Sequence, residues 1–150
     1  MEREHGETLL FSGPVCAGFP SPASDYIEER LDLNQRLVKH PAATFFVRAG
    51  GDSMQGAGIF DGDILVVDRS LKPSDMCVVI AALDGDFTVK RLRISGGKPL
   101  LVPENPKYRP IEIDEDSDFR IWGVVTYVIH GLGKENPKFE TRNPKRKTDK

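Results

Sequence analysis

Two short stretches of the chain carry residue types whose chemistry depends on one another: Gly51-Asp52-Ser53-Met54 and Thr88-Val89-Lys90-Arg91. A serine hydroxyl is a poor nucleophile until a base takes its proton, and a lysine is such a base only when neutral. A third element lies upstream, the small dipeptide Ala17–Gly18 in a stretch rich in proline and serine. Nucleophile, base and a bond slim enough for a narrow site would then belong to one chain. The chemistry this predicts is peptide hydrolysis by a serine–lysine dyad acting first on itself.

Each residue also has a plainer reading. Gly-Asp-Ser is common in turns, because glycine permits positive φ and Asp and Ser bond their own backbone. On its own the motif is more often a structural turn than a nucleophile. Its context favours chemistry: an apolar strand delivers Ser53 to the turn, and Gly56 and Gly58 leave room for a substrate backbone. A tight turn also aims successive N–H groups at one point, which makes the backbone of Ser53 and Met54 the candidate oxyanion hole. A lysine in a β-run usually points at water. Here the period of two puts Lys90 on one face with Thr88, Leu92 and Ile94, and Arg91 and Arg93 on the other. Burial on the more apolar face would lower the lysine pKa, and Thr88 would hold the amine in line.

The histidines offer no rival. His5 lies near the start, His40 precedes Pro41 and His130 follows the last apolar run. No metal-ligand spacing, phosphate loop or dinucleotide glycine pattern occurs, so no cofactor or metal is expected. Cys16 is a conceivable thiol nucleophile, but nothing near it in sequence would activate it.

These residues need elements to hold them. Residues 1–24 are polar and broken by glycine and proline, and read as a flexible N-terminal arm that carries the cleavage site. Asp25 resembles an N-cap for a short helix from Tyr26 to Arg30, with Glu28 completing a capping box, and Leu31, Leu33, Leu37 and Val38 make a weakly helical pattern that ends by Pro41. From Thr44 the pattern turns to β. Strands are expected at Thr44–Arg48, Ile64–Val67, Met76–Leu83, Phe87–Ile94, Leu100–Val102, Pro110–Ile113 and Phe119–Ile129, with Asp84-Gly85-Asp86 as a hairpin loop. The fold class is therefore mostly β, one compact peptidase domain over 25–133.

The chain has 150 residues, 39% of them hydrophobic, about one ordinary domain. The two cysteines, Cys16 and Cys77, read as free thiols of a reducing cytoplasm, and no apolar stretch approaches the ~20 residues that span a bilayer. The net charge of −2 conceals a polarity: Lys134 to Lys150 holds seven Lys/Arg and three Asp/Glu, leaving 14 against 20 in the first 133 residues. This basic tail, 134–150, is expected to be disordered.

Taken together, the segments Gly18-Phe-Pro-Ser-Pro-Ala-Ser-Asp-Tyr26, Gly51-Asp-Ser-Met54, Asp61-Gly-Asp-Ile-Leu-Val-Val-Asp68, Phe87-Thr-Val-Lys-Arg91 and Trp122-Gly-Val-Val125 resemble the LexA/UmuD family of self-cleaving serine–lysine peptidases, its UmuD branch in particular. The resemblance covers roughly residues 17–131. It implies the peptidase fold of that family, Ser53 as nucleophile, Lys90 as general base and Ala17–Gly18 as the bond cut, with Cys16–Ala17 a lesser alternative. It also implies an SOS-response role: cleavage stimulated by a RecA filament on single-stranded DNA, then a homodimeric product that serves a UmuC-like Y-family polymerase in translesion synthesis. The 17 residues ahead of the bond are too few for a winged helix-turn-helix, so no sequence-specific DNA binding is expected and the polymerase accessory role is favoured over a LexA-like regulator or an inert module.

Overall fold

The computed structural model describes residues 6–11, 15, 17, 18 and 27–133. The basic tail, Cys16, and the proposed cap at Asp25 and Tyr26 lie outside them. Among the described residues nine strands occur in chain order: β1 (Glu7–Phe11), β2 (Ile27–Asp32), β3 (Thr44–Arg48), β4 (Ile64–Asp68), β5 (Val78–Leu83), β6 (Asp86–Ser95), β7 (Lys98–Val102), β8 (Ile111–Glu112) and β9 (Phe119–Ile129). The one α-helix among the described residues, α1, runs from Leu33 to Leu37. Strands β3 to β9 form an antiparallel sheet ordered β3-β4-β9-β5-β6-β7-β8, and β1 pairs antiparallel with β2 in a separate two-stranded sheet. The mostly β expectation holds.

The helix lies within the weakly helical stretch from Leu31 to Val38 and not at the capping pattern of Asp25. Ile27–Asp32 is a strand, paired from Glu7↔Asp32 to Phe11↔Ile27, and the helix begins after it. Its N-cap is Asp32, whose carboxylate accepts from the N–H groups of Asn34 and Gln35. A single turn's worth of capping signal is a weak preference, and a five-pair strand ladder outweighs it. The start of the presumed arm is likewise strand, over Glu7–Phe11.

The large sheet has a core on each face. Leu65, Val67 and Ile80 pack with Ala49, Met54 and Ile59, whereas Val79, Ala81, Leu92, Leu101 and Val124 form the other cluster. This is why β4 and β5 are near-continuous apolar runs and do not alternate: their middles are covered on both sides. The sheet is closed up by two tight hairpins. Asp84 and Gly85 both adopt positive φ (50° and 89°) between the paired Leu83 and Asp86, the left-handed pair that a two-residue type I′ loop requires. Gly96 and Gly97 (60° and 77°) do the same between β6 and β7.

Two features of this sheet matter for the site. Strand β6 runs past β7: pairing with β7 begins only at Arg91, so Asp86–Lys90 are paired with β5 alone. On the far side, β3 ends at Arg48 and passes directly into the turn of Ser53, held by Ala49 N–H donating to Asp63 O and Gly62 N–H donating to Ala49 O.

Candidate active site

The turn after β3 is shaped by its own residues. Gly51 sits at φ 80°, and its N–H donates to the Asp61 carboxylate (2.8 Å). A one-turn 3-10 helix follows at Gln55–Ala57 and is closed by Gly58 in the left-handed region. Met54, 2% exposed, anchors the turn in the core, and Ser53 stands half-buried before it. The backbone N–H groups of Ser53 and Met54 donate to no protein acceptor among the described residues, whereas those of Gln55, Gly56 and Ala57 are all engaged. Two neighbouring N–H groups beside a serine hydroxyl are thus open to a substrate oxygen.

Lys90 comes from the overhanging part of β6. It is 8% exposed, one of three buried charged or polar residues in the structure's described part. Its Nζ lies 3.0 Å from Ser53 Oγ, 2.8 Å from Thr88 Oγ1 and 3.0 Å from the Val89 carbonyl oxygen. These partners are neutral oxygens, and no carboxylate pairs with Lys90 among the described residues. Burial therefore acts unopposed and lowers the lysine pKa. A neutral amine has two N–H bonds and one lone pair. Val89 O can only accept and Thr88 Oγ1 is able to, so they absorb the two N–H bonds and leave the lone pair to face the serine O–H. That arrangement can remove the serine proton.

The two side chains open on a cleft of ≈ 270 Å³ whose lining includes Val47, Arg48, Gly50, Phe87 and Thr88. Phe87 is 60% exposed at its rim and stacks edge-on to Trp122, which also meets Phe45 and the Arg69 guanidinium. Ala17 and Gly18 lie elsewhere in the chain order, exposed, in a bend between β1 and β2.

The two histidines among the described residues are committed to other work, and His5 lies outside those residues. His40 Nδ1 is 2.6 Å from Asp68, and His130 Nδ1 pairs with the buried Asp63. Together with Ser70, His40 holds the Asp68 carboxyl down to about 2. No group of three or more His, Cys, Asp or Glu gathers as a metal site among the described residues, and Cys77 is a half-buried free thiol.

Sequence reasoning missed the loop between β7 and β8. Glu104 N–H donates to Ser53 O (2.8 Å), Gly56 N–H to Glu104 O (2.7 Å) and Asn105 Nδ2 to Asp52 O (2.8 Å). The Tyr108 hydroxyl donates to the Asp52 carboxylate, which raises the phenol's pKa. No spacing rule links residues some fifty positions apart; only the sheet order brings them together.

A family model described as Peptidase S24-like matches residues 9–126. The chain belongs to that family. The resemblance carried by its motifs is thereby borne out, and membership in the S24-like family makes the protein, in general terms, a serine peptidase. The chain is 50% identical to Protein ImpA of Escherichia coli over 123 residues, 81% of this chain and 82% of that one. It is 52% identical to Protein SamA of Salmonella typhimurium over 123 residues, 81% and 84% of the two chains. A more distant match is the LexA repressor of Ectopseudomonas mendocina, 40% identical over 124 residues, which are 82% of this chain and 60% of the repressor.

Proposed function

We propose that this S24-like chain cuts itself between Ala17 and Gly18. One observation carries the reading: the buried Lys90 amine, without a carboxylate partner among the described residues, is 3.0 Å from Ser53 Oγ. In the proposed reaction the neutral amine takes the serine proton as Oγ attacks the Ala17 carbonyl carbon. The oxyanion is met by the N–H groups of Ser53 and Met54, and Thr88 holds the amine in line. Collapse breaks the C–N bond, the Gly18 nitrogen receives the proton from Lys90, and the Ala17 acyl group remains as an ester on Ser53. Water, deprotonated by the same amine, then releases it.

The arm of residues 1–24 would feed a peptidase domain of 25–133, in the cytoplasm. By resemblance to the UmuD branch, cleavage would be stimulated by RecA on single-stranded DNA. The product would dimerise and serve a UmuC-like polymerase in the SOS response. The higher identity to ImpA and SamA than to the repressor favours this branch, and the match to LexA keeps a DNA-binding regulator as the second reading. Incubation with RecA, single-stranded DNA and a nucleotide triphosphate, or at alkaline pH alone, should yield a product beginning at Gly18. Ser53→Ala should abolish this at every pH, and Lys90→Arg nearly so, because a guanidinium stays charged. The exposed Lys98→Ala is the control. A product beginning elsewhere, or undiminished cleavage by Ser53→Ala, refutes the assignment; sequence-specific gel shifts with duplex DNA would favour the regulator.

A further inference from the structure

The serine and the lysine reach one another from opposite parts of the sheet, β3 and β6, and neither strand pairs with the other. Something else must fix the gap between them. The loop after β7 touches the turn of Ser53 and Arg91, the neighbour of Lys90. Its Glu104 backbone is bonded on both sides to the nucleophile turn, donating to Ser53 O and accepting from Gly56 N–H. The approach is so close that a Cβ on Gly56 would stand 2.6 Å from Glu104 O. Asn105 and Tyr108 grip Asp52, the residue before the serine, one by its carbonyl and one by its carboxylate. The Glu104 carboxylate meanwhile pairs with Arg91 Nε, the neighbour of Lys90, and Arg91 Nη1 continues to Met76 O (2.6 Å).

We infer that the loop Pro103–Tyr108 is a spacer that sets the Ser53–Lys90 separation, with Glu104, Asn105 and Tyr108 as positioning residues for the dyad. The inference rests on the peptidase reading of Ser53 and Lys90. None of the three touches the reacting atoms; they act through Asp52, the Ser53 carbonyl and Arg91. Because the lone-pair contact is a single hydrogen bond, a displacement of the turn by about 1 Å is enough to cost on the order of 100-fold in rate. The loop adds an attachment on the Ser53 side of the turn to those that Gly51 makes with Asp61 and Met54 makes in the core.

Tyr108→Phe removes one oxygen from an exposed side chain, and Asn105→Ala removes the grip on the Asp52 carbonyl; both keep the charge around Lys90 unchanged. Two readouts separate the inference from the reading beneath it. Amide hydrogen exchange at Gly56 and Ala57 reads the clamp whether or not the chain cuts itself, and is expected to quicken roughly tenfold or more in the double variant. The limiting rate of self-cleavage at alkaline pH is expected to fall about 10- to 100-fold, with the midpoint of the pH–rate curve where it was. Exchange that is unchanged in both single variants and the double variant overturns the spacer. So does a double variant cleaving within about threefold of the parent, a midpoint that moves, or a loss that merely follows the unfolded fraction. A parental chain that never cuts itself, with exchange quickened as expected, sinks the peptidase reading and leaves the spacer standing.

Discussion

Lys90→Met should make the protein more stable while ending any chemistry that needs the amine. The side chain is 8% exposed, and its three hydrogen-bond partners are neutral oxygens. Burial lowers its pKa from 10.5, so the native state holds an ammonium only against the cost of taking that charge out of water. The sign follows from proton counting. Between the lowered native value and 10.5 the unfolded chain binds more protons than the native one, so parental stability rises with pH across that window. Below the native value the whole penalty is present, and it amounts to about 1.4 kcal/mol for each pH unit of lowering. Methionine fills a similar volume and carries none of it. In a chain of this size the variant should melt roughly 3–6 °C higher at a pH below the native value for each such unit, with the gap narrowing as the pH climbs toward 10.5. Both chains should carry Ser53→Ala, so that cleavage does not intrude on the calorimetry. A Lys90→Met chain that melts lower than its parent at neutral pH, or a gap that widens with pH, would refute the claim that burial governs this lysine.

Two other perturbations test the frame around the site. Gly123→Ala puts a Cβ 2.6 Å from Val67 Cγ1 and 3.2 Å from Arg69 Cγ, at the point where β9 crosses β4. Overpacking there should destabilise by about 1–3 kcal/mol in denaturant titration, and a neutral result would mean that the two strands part more easily than their packing implies. Asp68 stays ionised in the native state down to about 2, against 3.8 unfolded. Its contribution is complete above 3.8 and is lost as the pH falls toward 2, so Asp68→Asn should flatten that part of the acid limb of the melting curve. Superimposable acid limbs would remove His40 and Ser70 as its cause.

The burial of Lys90 was legible because strand parity is local, whereas its approach to Ser53 crosses the sheet. Strand parity put Lys90 with Leu92, and Leu92 is indeed 1% exposed in the core while Arg93 on the other face is exposed. Strand β9 appears over Phe119–Ile129, the run that its apolar residues mark out. The capping pattern of Asp25 and Glu28 misled because no partner strand was in view, whereas the weak helical pattern from Leu31 to Val38 does contain the helix. The cap that operates, Asp32 with Gln35 three residues on, has the same spacing and was equally readable. What could not be read was contact across the sheet: Glu104, Asn105 and Tyr108 meet the serine turn only after seven strands have been ordered.

The pairing of β1 with β2 has a bearing on what a cut at Ala17–Gly18 achieves. The connection between Phe11 and Ile27 is the covalent tie between these strands, and the bond lies within it. Hydrolysis there severs the tie but none of the backbone hydrogen bonds of the ladder. The severed piece would stay on as a guest strand, and cutting and departure would become two events with separate clocks. Departure is governed by a five-pair, two-stranded ladder, a kind of structure that is marginal in water once its ends are no longer joined. Dilution, not chemistry, then decides when the shortened chain presents the bare edge of β2 to a newcomer.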